Sequence, residues 1–253
     1  MFRSFLVVIL IFFSLSGYSQ RWKLTRYEGI LGIGTTSYFG DIGGSASRNN
    51  LFGLKDIDFL GTRPSIYFGG RYKLKYNQAI KLNVVWGWLS GSDKNSVNAN
   101  RGYSFNTLII EQTLQYEYSL IAEDRRRFSY AIFSRHGMMN NYSKINFYLL
   151  AGAGGLFYAP KFQGNLIYPK YETASNSPGY TLVGFGGVGI KFIYDHRYAF
   201  GFEFGGRYAF SDYLDGFTTK FSHANDVYYF GVFNLVYRIK TSRRGYPIIF
   251  KRF

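Results

Sequence analysis

Between residues 198 and 211 almost every second side chain carries an aromatic ring. Tyr198, Phe200, Phe202, Phe204, Tyr208 and Phe210 share one parity, and Ala199, Gly201, Glu203, Gly205, Arg207 and Ala209 share the other. An extended chain, whose side chains alternate between two faces, gathers such rings on one side; a helix would scatter them around its axis. A wholly aromatic face is poorly suited to water and well suited to hydrocarbon, with Glu203 and Arg207 turned to an enclosed polar space.

The same period of two gives seven further strands, at 27–40, 63–74, 79–91, 103–120, 144–159, 180–195 and 227–240. In 79–91, Ile80, Leu82, Val84, Trp86 and Trp88 face outward, with Lys81 and Asn83 inward. In 227–240, Val227, Tyr229, Phe233, Leu235, Tyr237 and Ile239 share a face, whereas 180–195 is mixed on both faces and its parity stays open. The predicted fold is all-β: a transmembrane antiparallel up-and-down β-barrel of about eight strands with a plugged polar interior. Composition agrees, because aromatics make up 21% of the chain with 30 Gly, and rings line membrane interfaces while glycines let strands curve. There is no Cys, which excludes a disulfide scaffold and a thiolate metal site.

Connection lengths orient the barrel. Tyr76-Asn77-Gln78 and Asp195-His196-Arg197 read as tight turns, and 41–62, 92–102, 160–179 and 211–226 as longer loops. Short turns belong on the periplasmic side of an outer membrane, and so would both termini. The segment 121–143 breaks this rule as a long periplasmic excursion whose fold the sequence leaves open.

The start of the chain supplies the route. Arg3 precedes the apolar run Phe5 to Phe13, and Gly17 and Ser19 stand at the −3 and −1 positions of a cleavage site before Gln20. That run is shorter than the ~20 residues of a membrane-spanning helix, so 1–19 is expected to be a secretory signal peptide rather than an uncleaved anchor. The expected division is 1–19 signal, 20–240 barrel and 241–253 a basic periplasmic tail.

The inward parity collects Glu28, Glu111, Glu117 and Glu203 with Arg71, Lys81, Lys191 and Arg207. Eight strands leave room only for side chains, so these charges are expected to form ion pairs that plug the lumen. Facing lipid at the midplane would cost about 2–4 kcal/mol for each base.

The formal charge is +15, and its placement is uneven. The long loops hold about as many acids as bases. The periplasmic segments carry Arg21, Lys23 and Arg26, then Arg125, Arg126, Arg127 and Arg135 against Glu123 and Asp124, then Arg238, Lys240, Arg243, Arg244, Lys251 and Arg252. Such a rim suits either an acidic partner or anionic phospholipid heads. The apolar stretch Tyr246-Pro247-Ile248-Ile249-Phe250 favours a protein contact. Arg125, Arg126, Arg127, Arg135, Arg243, Arg244, Lys251 and Arg252 are the candidate docking residues.

Several motifs read as coincidence. Residues 184–189 spell G-x-G-x-x-G but continue as strand, without the helix that would aim its N-terminus at a pyrophosphate. His136, His196 and His223 are too dispersed for a metal cluster. Ser222-His223 with Asp226 could suggest a lipid-modifying hydrolase, but adjacent residues on an extended chain seldom point at each other. Asp41, Asp212 and Asp215 fit turn chemistry better than cation binding. Phe-Gly-Gly-Arg-Tyr occurs at 68–72 and 204–208, which shared barrel composition explains as well as an internal repeat. No catalytic residue, cofactor, small-molecule substrate or nucleic-acid module is expected.

The chain resembles the small outer-membrane barrel subunit (PorG-like) of the type IX secretion system of Bacteroidota. The resemblance lies in Tyr27-Glu28-Gly29, Tyr38-Phe39-Gly40-Asp41, Gly69-Gly70-Arg71-Tyr72, Gly205-Gly206-Arg207-Tyr208, Ser211-Asp212-Tyr213-Leu214-Asp215-Gly216 and Asp226. It spans nearly the whole mature chain through short motifs. It implies a non-enzymatic subunit without cofactor, docked on a periplasmic ring of a lipoprotein and its partner. The alternatives are a stand-alone barrel of the OmpA/OmpX-like structural or adhesive type and a lipid-modifying barrel enzyme.

Overall fold

The computed structural model describes residues 21–40, 42–43, 61–96, 98–123, 144–220, 225–242 and 245–248. Ten strands occur among them: β1 Tyr27–Phe39, β2 Arg63–Lys75, β3 Gln78–Ser92, β4 Ser104–Ile121, β5 Ile145–Gln163, β6 Glu172–Ala174, β7 Gly179–Ile193, β8 Tyr198–Ala209, β9 Phe217–Thr219 and β10 Val227–Ile239. Eight of them close into one barrel in the order β1-β10-β8-β7-β5-β4-β3-β2, with every neighbouring pair antiparallel. The first and last barrel strands meet from Tyr27↔Ile239 to Phe39↔Val227, so no edge is left. The start of β1, the end of β10 and the short turns lie at one end, the base; the connections β1–β2, β3–β4, β5–β7 and β8–β10 leave from the other, the mouth.

The side-chain alternation follows the parity of the sequence. On β8 the rings face out, and Ala199, Glu203, Arg207 and Ala209 are buried. Ile33 is 70% exposed and Phe233 66%, an outer wall that only hydrocarbon can cover without penalty. No described helix is long and apolar enough to cross a membrane. A tilted spanning strand needs about 9–11 residues. β4 has 18 and β5 has 19, so they project beyond the wall at their ends.

Three details depart from the sequence reading. β5 runs to Gln163, through Pro160 and past the expected end at 159. β7 stops pairing at Gly179↔Tyr158, so beyond that point β5 has β4 as its only neighbour and Pro160 forfeits no ladder bond on its open side. Strand β7 also acquires a definite parity: Tyr180, Leu182, Val188, Ile190 and Phe192 face out while Val183, Phe185 and Lys191 are buried. Its faces looked mixed because Phe185 belongs inside, packed with Tyr148 and Leu150. Lastly, β6 and β9 form a separate ribbon, Glu172↔Thr219 to Ala174↔Phe217, from two mouth loops. Two strands of three residues carry too short an alternation to be read from sequence.

The G-x-G-x-x-G run lies inside β7. A Cβ at Gly187 would sit 2.3 Å from the Phe204 carbonyl oxygen, and one at Gly189 would sit 2.4 Å from the Tyr148 ring. These inward glycines make room for neighbours, whereas Gly184 and Gly186 face outward.

At the base, a single turn of 3-10 helix at Arg21–Thr25 leads into β1, and the chain after β10 folds back beside it. Thr241 N–H donates to Leu24 O (2.9 Å), Ile248 N–H to Lys240 O (2.8 Å) and Arg26 N–H to Thr241 Oγ1 (3.2 Å). Residues 241–242 and 245–248 thus pair with one another beside the barrel rim. Residues 1–20, which include the expected signal peptide 1–19, and residues 124–143 of the 121–143 excursion lie outside the described residues.

Candidate functional site: the charged lumen and its two ends

Arg71 is the hub of the lumen. Its guanidinium lies 2.8 Å from Glu28, 2.7 Å from Glu117 and 3.5 Å from Glu203, with its carbon 5.3 Å from the Tyr148 ring centre. Strands β1, β2, β4 and β8 each deliver one member of this group from an inward position. Lys81 of β3 contacts Glu203 and lies 3.2 Å from Glu117. Lys191 of β7 lies 3.1 Å from Glu28. The Tyr148 hydroxyl donates to the same Glu203 oxygen, Oε1, at 2.7 Å, so that one atom gathers Arg71, Lys81 and Tyr148.

Three members of this network were not placed in the lumen by the sequence reading. Glu123, counted as an acid of the excursion, turns into the barrel, where Lys73 contacts it, Lys191 reaches it at 2.7 Å and Arg238 at 3.1 Å. Arg238, counted with the basic end of the chain, is only 8% exposed and also faces Glu28 at 3.8 Å. Lys73 approaches Glu28 at 3.1 Å. Parity could have found two of them: Lys73 shares the inward face of Arg71, and Arg238 that of Tyr228 and Phe230. Nothing local marks Glu123, which depends on how the chain leaves β4. Burial pushes the Glu123 carboxyl up, but Lys191, Lys73 and Arg238 outweigh it and hold it well below the usual carboxylate range.

Glu111 and Arg207 form a second, isolated site. Arg207 Nε lies 3.1 Å from both carboxylate oxygens, and the Tyr228 hydroxyl donates to Glu111 at 2.7 Å. The guanidinium also rests 4.1 Å from the Phe230 ring centre and 5.2 Å from that of Phe185. The two Phe-Gly-Gly-Arg-Tyr copies thus place their arginines in unlike settings. They lie on strands running in opposite senses, since β2 descends from the mouth and β8 rises to it, which fits shared composition better than repetition.

Above the ion pairs apolar side chains fill much of the lumen. Ile109, Leu156, Val183 and Phe230 form one cluster with Leu214 and Phe217, which descend from the mouth loop between β8 and β10. Leu214 is fixed at both backbone atoms: Thr107 donates to its carbonyl and its N–H donates to Asp226 at 2.9 Å. The Tyr38 hydroxyl lies 2.9 Å from Asp215 and also contacts Asp226, joining the ends of β1 and the β8–β10 loop. The lumen is closed by side chains along its base and by this loop at its mouth.

Other candidates take structural places. Asp215 accepts from Phe217 N–H (2.9 Å) and Asp212 from the Thr218 hydroxyl, so both serve turn geometry. Among the described residues no group of three metal-ligating side chains occurs. His196 is exposed in its turn. His136, Ser222, His223 and Asp41 lie outside the described residues, as do the docking candidates Arg125, Arg126, Arg127, Arg135, Arg243, Arg244, Lys251 and Arg252.

No family model matches the chain, and no curated protein matches it. Among solved structures it is similar to Neisserial surface protein A, at 8% identity and TM-score 0.46, covering 84% of this chain and 96% of that one. The attachment invasion locus protein Ail of Yersinia pestis shows 11% identity and TM-score 0.39 over 84% and 98%. The outer membrane protein OprG of Pseudomonas aeruginosa shows 10% and 0.37 over 86% and 98%. The fold rests on the pairing of this chain's own strands and not on these likenesses.

Proposed function

We propose that this chain is a non-enzymatic outer-membrane barrel that works through its two ends and its wall rather than through its lumen. The observation that carries this reading is the filled interior: a buried network of ion pairs toward the base and a packed loop cork at the mouth. A stable, ion-selective conductance from the purified barrel in planar bilayers would overturn it.

The finer reading is a docked subunit of a protein secretion machine of type IX, in which the base meets the periplasmic ring. The resemblance suggests this partner, and the base offers a surface suited to it. Leu24, Tyr246 and Ile248 are 55%, 70% and 48% exposed beside the exposed Lys23 and Lys240, on segments held by backbone hydrogen bonds. Apolar anchors ringed by cations favour an acidic protein over bulk lipid. Reversing Arg125, Arg126 and Arg127 to Glu should release the barrel from the ring while it still folds. Co-purification retained at physiological salt would count against docking. The second reading, a stand-alone structural or adhesive barrel, shares the filled lumen; it requires the native protein to purify from its membrane without stoichiometric companions.

A further inference from the structure

The sequence makes the mouth loops look electrically balanced, but folding separates the two signs. Every described acid of the mouth is engaged in holding the loops. Asp93, Asp215 and Asp226 are at most 3% exposed; Asp93 accepts from Gly43 N–H at 3.0 Å and pairs with Arg101 at 3.0 Å, and the other two meet Tyr38. Half-buried Glu172 accepts from the Tyr103 hydroxyl (2.8 Å) and Tyr168 N–H (3.0 Å), and half-buried Asp212 from Thr218. Apart from Arg101, which pairs with Asp93, the described cations of the mouth loops go the other way. Arg63, Lys94, Lys161, Lys170 and Lys220 are exposed, with no exposed acid beside them among the described residues of the mouth.

Three of these lysines share one flank. Lys220 N–H donates to Tyr171 O at 2.9 Å as the β6–β9 ribbon begins, and Lys170 Nζ lies 5.7 Å from the Tyr171 ring centre. The turn from Tyr168 closes on the same spot, since Tyr168 O accepts from Tyr171 N–H (2.9 Å) and Glu172 N–H (3.0 Å). Tyr168 is 63% exposed and Tyr171 41%. Lys161 points outward near the top of β5, one residue before Phe162, whose ring stacks on that of Phe217 in β9 at 5.8 Å. A cation therefore stands where the apolar wall ends, and two more stand above it around tyrosines.

We propose that this flank of the mouth binds the phosphorylated saccharide of lipopolysaccharide. Lys161 meets phosphate at the level of the lipid heads, Lys170 and Lys220 meet phosphate higher on the core, and sugar rings lie against Tyr168 and Tyr171. The vertical order of the groups, cation at the lipid boundary and aromatic-cation surface above it, matches a glycolipid anchored in the same leaflet. It rests on the reading that the mouth faces outside the cell. Binding by the purified barrel does not depend on orientation, so protease or label accessibility of the mouth loops on intact cells tests that separately.

The test uses the full mature barrel in detergent, titrated with purified rough-type lipopolysaccharide, the same material after enzymatic dephosphorylation, and heparin oligosaccharide. Replacing Lys161→Glu, Lys170→Glu and Lys220→Glu together should weaken lipopolysaccharide binding about a hundredfold, the effect of removing three cations from an anionic surface. Tyr168→Ala with Tyr171→Ala should weaken it severalfold, and Lys144→Glu at the base should leave it unchanged. Heat-modifiable gel mobility verifies that each variant is folded. Undiminished binding by the lysine variant, equal binding of dephosphorylated material, or heparin binding as tight and as lysine-dependent as that of lipopolysaccharide would each overturn the proposal.

Discussion

Replacing Arg207 by Met should strand Glu111. In the folded protein this carboxylate has one cation, Arg207, and one neutral donor, Tyr228. Methionine keeps the stem packed near Phe185 and Phe230 but removes the charge. Glu111 must then keep an unpaired charge in the buried lumen. Removing one partner of a buried ion pair costs about 3–5 kcal/mol. Adding Glu111→Gln should recover most of the loss, because the uncompensated charge goes with it. Urea unfolding of the barrel in lipid vesicles, followed by heat-modifiable mobility and tryptophan emission, measures the four corners of the cycle. If Arg207→Met and Glu111→Gln prove additive, the pair is not an isolated unit. The same change at Arg71 should respond less to any one second mutation, since Lys81 still faces Glu117 and Glu203 while Lys73 and Lys191 still face Glu28.

Three further outcomes follow from the geometry. Glu123, whose carboxyl is held below its ordinary range, adds stability above the unfolded carboxyl range that fades as pH falls through the lower folded value; Glu123→Gln should flatten the acid side of a stability–pH curve, and an unchanged curve would contradict its lumenal pairing. Gly187→Ala should destabilise by about 1–3 kcal/mol through overpacking, because its Cβ meets the Phe204 carbonyl and the Gly205 backbone, whereas Gly70→Ala has open space and should be neutral by the same urea assay. Trp86, 44% exposed on the outer wall, should be strongly quenched by brominated acyl chains in a variant with Trp22 and Trp88 replaced by Phe; absence of quenching would remove the wall from hydrocarbon.

What the sequence determined by itself is the ladder. A strand with lipid on one side and a crowded lumen on the other obeys strict alternation, so the rings of 198–211 and the tryptophans of 79–91 declare their face without reference to anything distant. The inward position of Glu28, Arg71, Lys81, Glu111, Glu117, Lys191, Glu203 and Arg207 followed from the same parity. Partner choice did not, because parity fixes which side a charge faces but not its height or its angle around the barrel. Only closure and register brought Arg71 against three carboxylates and left Arg207 with one. The tertiary structure alone also turned Glu123 inward, let β5 run through Pro160, and drew the acids of the mouth into its loops while leaving lysines outside. Those outcomes depend on contacts between segments far apart in sequence, and a local pattern carries no record of them.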